Sequence, residues 1–224
     1  NDAFGYNALA ANTTGSGNAA VGYVALTANT TGSQNVAVGA YALDASTTAG
    51  DNTAVGYEAL TTNTTGSQNT GVGHRSLILN TTGLGLCAFG VGALDANTTG
   101  NYNAAFGRSA LSGNTTADNN TAFGAFALFA TTTGINNVGV GASALTNNTT
   151  GVRNTAIGAF SLDANTSGNY NSAVGHGALG GNTTGVNNAA LGYGALENNT
   201  TGSHNSACLL YTSDAADERS SVDL

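Results

Sequence analysis

The chain contains no proline, tryptophan, methionine or lysine, and only 7% of its residues are charged. Without proline, turns must be made by residues such as Gly and Asn. Two cysteines, Cys87 and Cys208, are too few to form a disulfide framework. No apolar run approaches the roughly 20 residues of a membrane-spanning helix. These absences exclude a disulfide-stabilised domain and predict no membrane insertion within this sequence.

Charge of either sign is also sparse. Residues 1–207 hold 8 acidic residues and 3 arginines, a net charge of -5. They carry no basic stripe of the kind that contacts a phosphate backbone, so we expect no nucleic-acid partner. Disordered chains combine high net charge with little apolar content, whereas 41% of this chain is hydrophobic. The composition therefore indicates an ordered protein.

The chain consists mainly of one sequence repeat that occurs twelve times. Residues 1–204 divide into twelve units of 17 residues without insertion or deletion, with the consensus N-t-A-V-G-y-x-A-L-x-x-N-T-T-G-x-x. We number the repeat positions 1 to 17 from Asn1. Position 9 is always Leu, position 5 always Gly and position 13 always Thr. Position 4 is always apolar, and positions 3 and 8 hold only Ala, Gly or Ser.

This pattern predicts an all-β fold, a parallel β-solenoid or β-roll of twelve 17-residue coils. A helical repeat needs 30 or more residues, and Gly costs roughly 1 kcal/mol inside a helix. Constant repeat length allows each coil to stack in register on the next at about 4.8 Å. Gly and Asn tolerate left-handed backbone, so positions 1, 5, 12 and 15 are the expected corners.

Stacking in register places like residues on like. We expect position 4 and the leucines of position 9 to point inward, with Phe89, Phe106 and Phe123 forming a three-ring stack. Asn at positions 1 and 12 is suited to amide ladders. Glu58 and Arg75 share position 7 in adjacent coils and should form an ion pair.

The last residues break the pattern. Asn205–Ala207 begin a thirteenth unit, after which the chain reads CLLYTSDAADERSSVDL. This string resembles the translation of a transposase adapter used in short-read DNA library preparation. We therefore divide the chain into a solenoid domain, 1–207, and a non-native, disordered tail, 208–224. The resemblance further implies a metagenomic source and a chain truncated at both ends.

Catalytic chemistry is not indicated. His74 and His176 share position 6 but lie six coils apart, roughly 29 Å at strand spacing. Position 10 carries acids in four coils, no two of them consecutive: Asp44, Asp95, Asp163 and Glu197. Neither set is placed to converge on a metal ion or to form an acid/base pair. We expect no enzyme activity, no catalytic residue, no metal site and no cofactor.

Two features of the N-T-T segment suggest other interpretations. It matches the N-glycosylation pattern in most coils, although a turn capped by Asn and Thr hydrogen bonds explains the same residues. It also forms a column of threonines that could act as a surface or ligand-binding site, as in ice-binding solenoids: Thr13, Thr30, Thr47, Thr64, Thr81, Thr98, Thr115, Thr132, Thr149, Thr166, Thr183 and Thr200. Adjacent strand residues point to opposite faces, which disfavours two Thr ranks on one face.

The segment NTAVGYEAL, residues 52–60, followed by NTTGSQN, resembles the head repeats of YadA-like (Hep_Hag type) trimeric autotransporter adhesins and of tail-fibre-like repeat proteins. The resemblance covers residues 1–207. It implies an extracellular fibre segment on a cell surface or virion, a homo-oligomer (a trimer or filament) that contacts a host-surface protein or glycan. The alternatives are an ice-binding solenoid and, more remotely, a carbohydrate-active β-helix enzyme.

Overall fold

The computed structural model describes residues 1–208, which contain thirteen three-residue β-strands and no helix. Position 2 to position 4 of each repeat forms one strand, because this is the segment where β-branched, aromatic and small residues alternate without an Asn or Gly corner. The strands are β1 Asp2–Phe4, β2 Ala19–Val21, β3 Val36–Val38, β4 Thr53–Val55, β5 Thr70–Val72, β6 Cys87–Phe89, β7 Ala104–Phe106, β8 Thr121–Phe123, β9 Val138–Val140, β10 Thr155–Ile157, β11 Ser172–Val174, β12 Ala189–Leu191 and β13 Ser206–Cys208.

All thirteen described strands form one parallel sheet in sequence order. Each residue pairs with its equivalent 17 positions later, as in Ala54 with Gly71 and Val55 with Val72. The predicted β-solenoid is thus confirmed, with coil 1 spanning residues 1–17 and coil 12 residues 188–204. Stacking includes Cys208, which pairs with Leu191. The rest of the expected tail, residues 209–224, lies outside the described residues.

The interior of the solenoid is narrow and is filled by leucine, alanine and asparagine. From coil 2 to coil 11 the leucines of position 9, such as Leu60 and Leu94, are fully buried together with the small residues of positions 3 and 8. Each buried Leu contributes about 1.5–3 kcal/mol relative to an exposed one. Small residues at positions 3 and 8 are required because the strand and the opposite wall approach closely across this core.

Position 4 does not point inward, and that expectation was wrong. Val38 is 37% exposed and Phe123 54% exposed, whereas position 3 is buried in the same strands. Successive residues of a strand face opposite sides of the sheet, so a buried position 3 forces positions 2 and 4 outward. Constant apolar character at position 4 therefore marks an outer face rather than the core.

Two expected side-chain contacts are confirmed. Phe89, Phe106 and Phe123 stack with ring centroids 5.0 and 4.9 Å apart, although they do so on the outer face. Arg75 Nε lies 3.4 Å from a Glu58 carboxylate oxygen. The Arg75 side chain is half exposed, so this ion pair contributes at most about 1 kcal/mol.

Asparagines of position 12 form the first amide ladder. Asn80 Nδ2 donates to Asn63 Oδ1 at 2.8 Å, Asn97 Nδ2 to Asn80 Oδ1 at 2.9 Å, and Asn114 Nδ2 to Asn97 Oδ1 at 2.7 Å. The same amides donate to the carbonyl of position 15 in their own coil, as Asn97 does to Gly100 at 3.1 Å. The ladder thus joins neighbouring coils and closes the turn within each coil.

A second ladder runs along position 1. The Oδ1 atom of Asn52 accepts the backbone N–H of Asn69 at 2.9 Å, and its Nδ2 donates across the coil to Gly66 O at 3.0 Å. Asn63 Nδ2 donates to the same Gly66 carbonyl at 2.8 Å. Two buried amides therefore converge on one carbonyl, which satisfies backbone groups that the narrow core would otherwise leave without partners.

The expected corners are only partly correct. Gly at position 5 has φ between +128 and +142° in every coil, as predicted for a Gly corner. Position 15 favours Gly for close approach instead, since a Cβ on Gly15 would lie 2.2 Å from Gly32 O, although Ala49 and Ala117 occupy this position in coils 3 and 7. Left-handed backbone falls at positions 7, 9 and 17, including Leu60 at φ 53°. Asn at positions 1 and 12 contributes to the ladders rather than to left-handed turns.

Substituting Asn97 with Ala should destabilise the solenoid. The change leaves Asn80 Oδ1 without its donor, removes the acceptor that Asn97 Oδ1 offers to Asn114 Nδ2, and removes the side-chain hydrogen bond to Gly100 O. At about 1–3 kcal/mol for each buried group left unsatisfied, we expect a loss of about 2–4 kcal/mol in chemical denaturation. Asn147→Ala is the control: it removes an exposed hydrogen bond from Asn147 Nδ2 to Asp163 O and should change stability much less. Equal effects of the two substitutions would contradict the ladder's role.

The opposite change tests a gap in the same ladder. Thr131 interrupts position 12, and Asn114 Oδ1 and Thr131 Oγ1 are buried without hydrogen-bond partners. In Thr131→Asn the new amide would donate to Asn114 Oδ1 and to Gly134 O, as Asn97 does to Asn80 Oδ1 and Gly100 O. We expect stability to rise by about 1–3 kcal/mol in the same measurement. Unchanged or reduced stability would show that the gap is not an energetic defect.

Candidate functional surfaces

The outer side of the parallel sheet is a regular, largely apolar surface that extends through coils 1–12. We call it the sheet face and define it as positions 2 and 4 of coils 1–12. After Asp2 it carries no charged residue. Position 4 supplies its apolar column: Phe4, Val21, Val38, Val55, Val72, Phe89, Phe106, Phe123, Val140, Ile157, Val174 and Leu191. At about 4.8 Å per coil the face extends about 58 Å.

Aromatic rings form a second column at positions 6 and 7. Tyr6 stacks on Tyr23 with centroids 5.3 Å apart, and Tyr57 stacks on His74 at 5.6 Å. Arg108 places its guanidinium 4.5 Å from the centroid of the Phe126 ring. Rings recur here because the coils keep these outward positions one strand spacing apart, the distance at which aromatic faces pack.

The predicted Thr column at position 13 is half-buried to exposed and takes part in backbone hydrogen bonding. Thr30 Oγ1 donates to Thr47 O at 3.1 Å, and Thr81 Oγ1 to Thr98 O at 3.0 Å. The same bond recurs along the column. The neighbouring position 14, which is Thr except at Ser167, is exposed in every coil. Ligand binding or ice binding by these columns stays a prediction, and position 14 is the better exposed of the two.

Asparagines of the N-T-T segments are engaged in the interior. From coil 2 to coil 11 the position-12 asparagines, including Asn63, Asn97 and Asn148, are fully buried in the ladder. A glycan on Nδ2 would remove donors that the ladder uses and would need space that the core lacks. The folded coil therefore favours the hydrogen-bonding role over glycosylation.

Of the histidines and acids at positions 6 and 10, His74, Asp44 and Asp95 lie in separate coils, whereas Asp163, His176 and Glu197 line one groove. Within residues 1–208 no three His, Cys, Asp or Glu side chains are grouped in a way that could hold a metal ion. His74 and His176 each stack on a tyrosine instead, Tyr57 and Tyr193 respectively. The Asp95 carboxylate accepts the Ser112 hydroxyl of the next coil at 2.5 Å.

One grouping was missed from the sequence, because it spans three coils. Between coils 10 and 12 lies a groove of about 450 Å³ that we call the coil-11 groove. Its lining consists of Phe160, Asp163, Ala164, His176, Gly177, Gly180, Gly181, Tyr193, Gly194, Glu197 and Asn198. The signal available in the sequence was Gly180-Gly181, since no other coil has Gly at both positions 10 and 11.

Acidic groups on the solenoid surface have shifted pKa values. Burial raises the pKa of Asp44 above its ordinary value of 3.8, and the nearby Glu58 carboxylate raises it further. Burial also raises the pKa of Asp163, with a smaller contribution in the same direction from Glu197. Burial raises the pKa of the Cys87 thiol, which disfavours the reactive thiolate.

Residues 1–208 contain no helix long and apolar enough to cross a membrane.

Asp44→Asn should stabilise the protein in a pH-dependent manner. A carboxyl with a raised pKa in the folded state is destabilising when ionised, so wild type loses stability as pH rises through the interval above 3.8. The amide has no charge to bury, and Asp44 Oδ1 is buried without a hydrogen-bond partner. We expect a higher thermal midpoint than wild type at pH 7 and a difference that shrinks below pH 3.8. A difference independent of pH would contradict this account.

Comparisons of the chain with protein-family models, with curated proteins and with solved structures found no match.

Proposed function

We propose that this chain is a structural and adhesive segment of an extracellular fibre, in which copies associate side by side through the sheet face. The observation that carries the proposal is the constant apolar column at position 4, which the structure places on the outside of the solenoid. Because position 4 lies outside the core, packing of the core does not explain why this position is apolar in every coil. An interface that extends along the whole rod would explain it.

The size of the sheet face supports association. Strands of three residues are about 10 Å wide, so a face about 58 Å long offers about 600 Å² on each copy. Two copies would bury about 1,200 Å², which is the lower end of stable protein interfaces. Soluble monomers rarely expose contiguous apolar patches larger than a few hundred Å². A second copy is the proposed occupant, because an identical rod presents apolar side chains at the same spacing of about 4.8 Å.

The chemistry of the face also favours a second copy. From coil 2 to coil 12 it is uncharged, and position 2 supplies Ala, Val, Thr, Ser or Cys beside the apolar column. Thr70 and Cys87 are half-buried there already. Such a surface loses little on desolvation, since it has no charged group to strip of water.

The fibre role is supported by the sequence as a whole. Fixed repeat length and sparse charge suit a spacer or contact element. The resemblance of NTAVGYEAL to trimeric autotransporter heads and tail-fibre repeats points in the same direction and implies a cell-surface or virion location. A trimer or a filament would each place one sheet face against another copy.

Sedimentation of the full chain tests this proposal. Wild type should sediment as a trimer or larger assembly, and Val38→Lys with Phe123→Lys should sediment as a monomer. Each lysine would have to lose its hydration inside the apolar interface, which costs several kcal/mol without a partner charge. Both side chains point outward, so the coil itself should remain folded by circular dichroism.

The matched control carries the same two charges in the same coils on another surface. Thr48→Lys with Thr133→Lys changes exposed position 14 and should leave the assembly intact. A monomeric wild type would overturn the proposal. So would a position-4 variant that still assembles, or a control that dissociates equally.

A further inference from the structure

We infer that the coil-11 groove binds a neutral or amino-substituted sugar unit of a glycan. The inference deepens the proposed adhesive function by naming the partner's chemistry, and it rests on that function only for its biological meaning. Three features of the groove carry it: space created by missing side chains, an aromatic wall, and two carboxylates on either side of the space.

Space arises from four glycines at positions that carry side chains in most other coils. Gly180 and Gly181 occupy positions 10 and 11, and Gly177 and Gly194 occupy position 7. A Cβ added to Gly177 would meet no atom within 4 Å, so this part of the groove is open. A cleft of about 450 Å³ falls in the range that small-molecule ligands occupy.

The wall consists of three rings. His176 lies between Phe160, whose ring centroid is 5.6 Å away at 67°, and Tyr193, 5.2 Å away at 8°. The three rings contact one another and Phe160 and Tyr193 remain exposed, so a ligand meets an apolar surface. The C–H face of a sugar ring can pack on such rings and bury apolar area there.

Carboxylates provide the polar contacts. Asp163 and Glu197 occupy position 10 in coils 10 and 12, and the glycine coil lies between them. Ionised carboxylates accept hydrogen bonds only, which suits the hydroxyl and ammonium donors of a sugar. The Asn198 amide also lines the groove and offers both a donor and an acceptor.

The same charges set specificity. Asp163 and Glu197 are close enough for Glu197 to disfavour ionisation of Asp163, and no arginine lines the groove. A sialylated or sulfated sugar would bring a third negative charge to this site and be repelled. An ammonium group would relieve the existing repulsion, so amino sugars should bind more tightly than their neutral counterparts.

The first test is binding of the full chain to an array of neutral, amino-substituted, sialylated and sulfated oligosaccharides, followed by calorimetric titration of the best ligand. We expect retention of neutral or amino-substituted sugars and not of anionic ones. Gly177→Tyr should weaken binding at least tenfold by filling the groove. The backbone accepts a side chain here, because Tyr41 and Phe160 occupy position 7 with the same left-handed φ.

Gly92→Tyr is the matched control, since it makes the same change at position 7 of coil 6, where φ is also 64°. It should leave affinity unchanged. Asp163→Asn adds nothing to the volume of the groove and should weaken binding of amino sugars at least fivefold, so the inference is testable even if Gly177→Tyr misfolds. Absence of glycan binding, preference for anionic sugars, or equal loss in the Gly92 control would overturn the inference.

Sedimentation of the same samples separates this inference from the proposed assembly. An oligomer that binds no glycan overturns the glycan site and leaves the assembly standing. A monomer that binds neutral sugars and loses them in Gly177→Tyr supports the site and overturns the assembly.

Discussion

Register between one coil and the next is the constraint on which the rest of this structure depends. Each coil offers its neighbour the same backbone groups at the same places, and buried amides lock that alignment. In coil 4, Asn52 and Asn63 converge on the Gly66 carbonyl while each also contacts an adjacent coil. One inserted residue would shift both ladders and leave buried amides without partners at a cost of about 1–3 kcal/mol each.

The same register stabilises a strained backbone conformation that an isolated coil would not keep. Leucine at position 9 adopts left-handed φ in every coil, although this conformation costs roughly 1–2 kcal/mol for a residue with a Cβ. Leu60 N donates to Ser76 O at 3.0 Å, so the strained residue is fixed by the following coil. Burial of the leucine side chain, about 1.5–3 kcal/mol, offsets the strain. Stability therefore belongs to the stack and not to the individual repeat.

Because the core is narrow and its residue types are restricted, functional differences between coils must lie on the surface. Interior positions are restricted to Leu, Asn and small residues, so differences between coils appear at positions 6, 7, 10 and 11. The coil-11 groove exists because four such positions lost their side chains while the coils around them kept rings and carboxylates. A regular scaffold in this way supports one irregular site without any change in repeat length.

The sequence by itself determined the solenoid, its thirteen-strand register and both amide ladders. With a constant repeat of 17 residues, only one alignment of the coils places identical residues next to each other. It also determined the Phe89–Phe106–Phe123 stack and the contact of Glu58 with Arg75. Only the tertiary structure decided that position 4 faces outward. A column of constant apolar residues is expected both in a core and at an interface, so the sequence does not distinguish the two. The small residues of position 3 decide the orientation, because they face the narrow interior and position 4 must then face outward. The coil-11 groove likewise could be identified only from the tertiary structure, since Asp163 and Glu197 are separated by 34 residues in the chain but by only two coils in space.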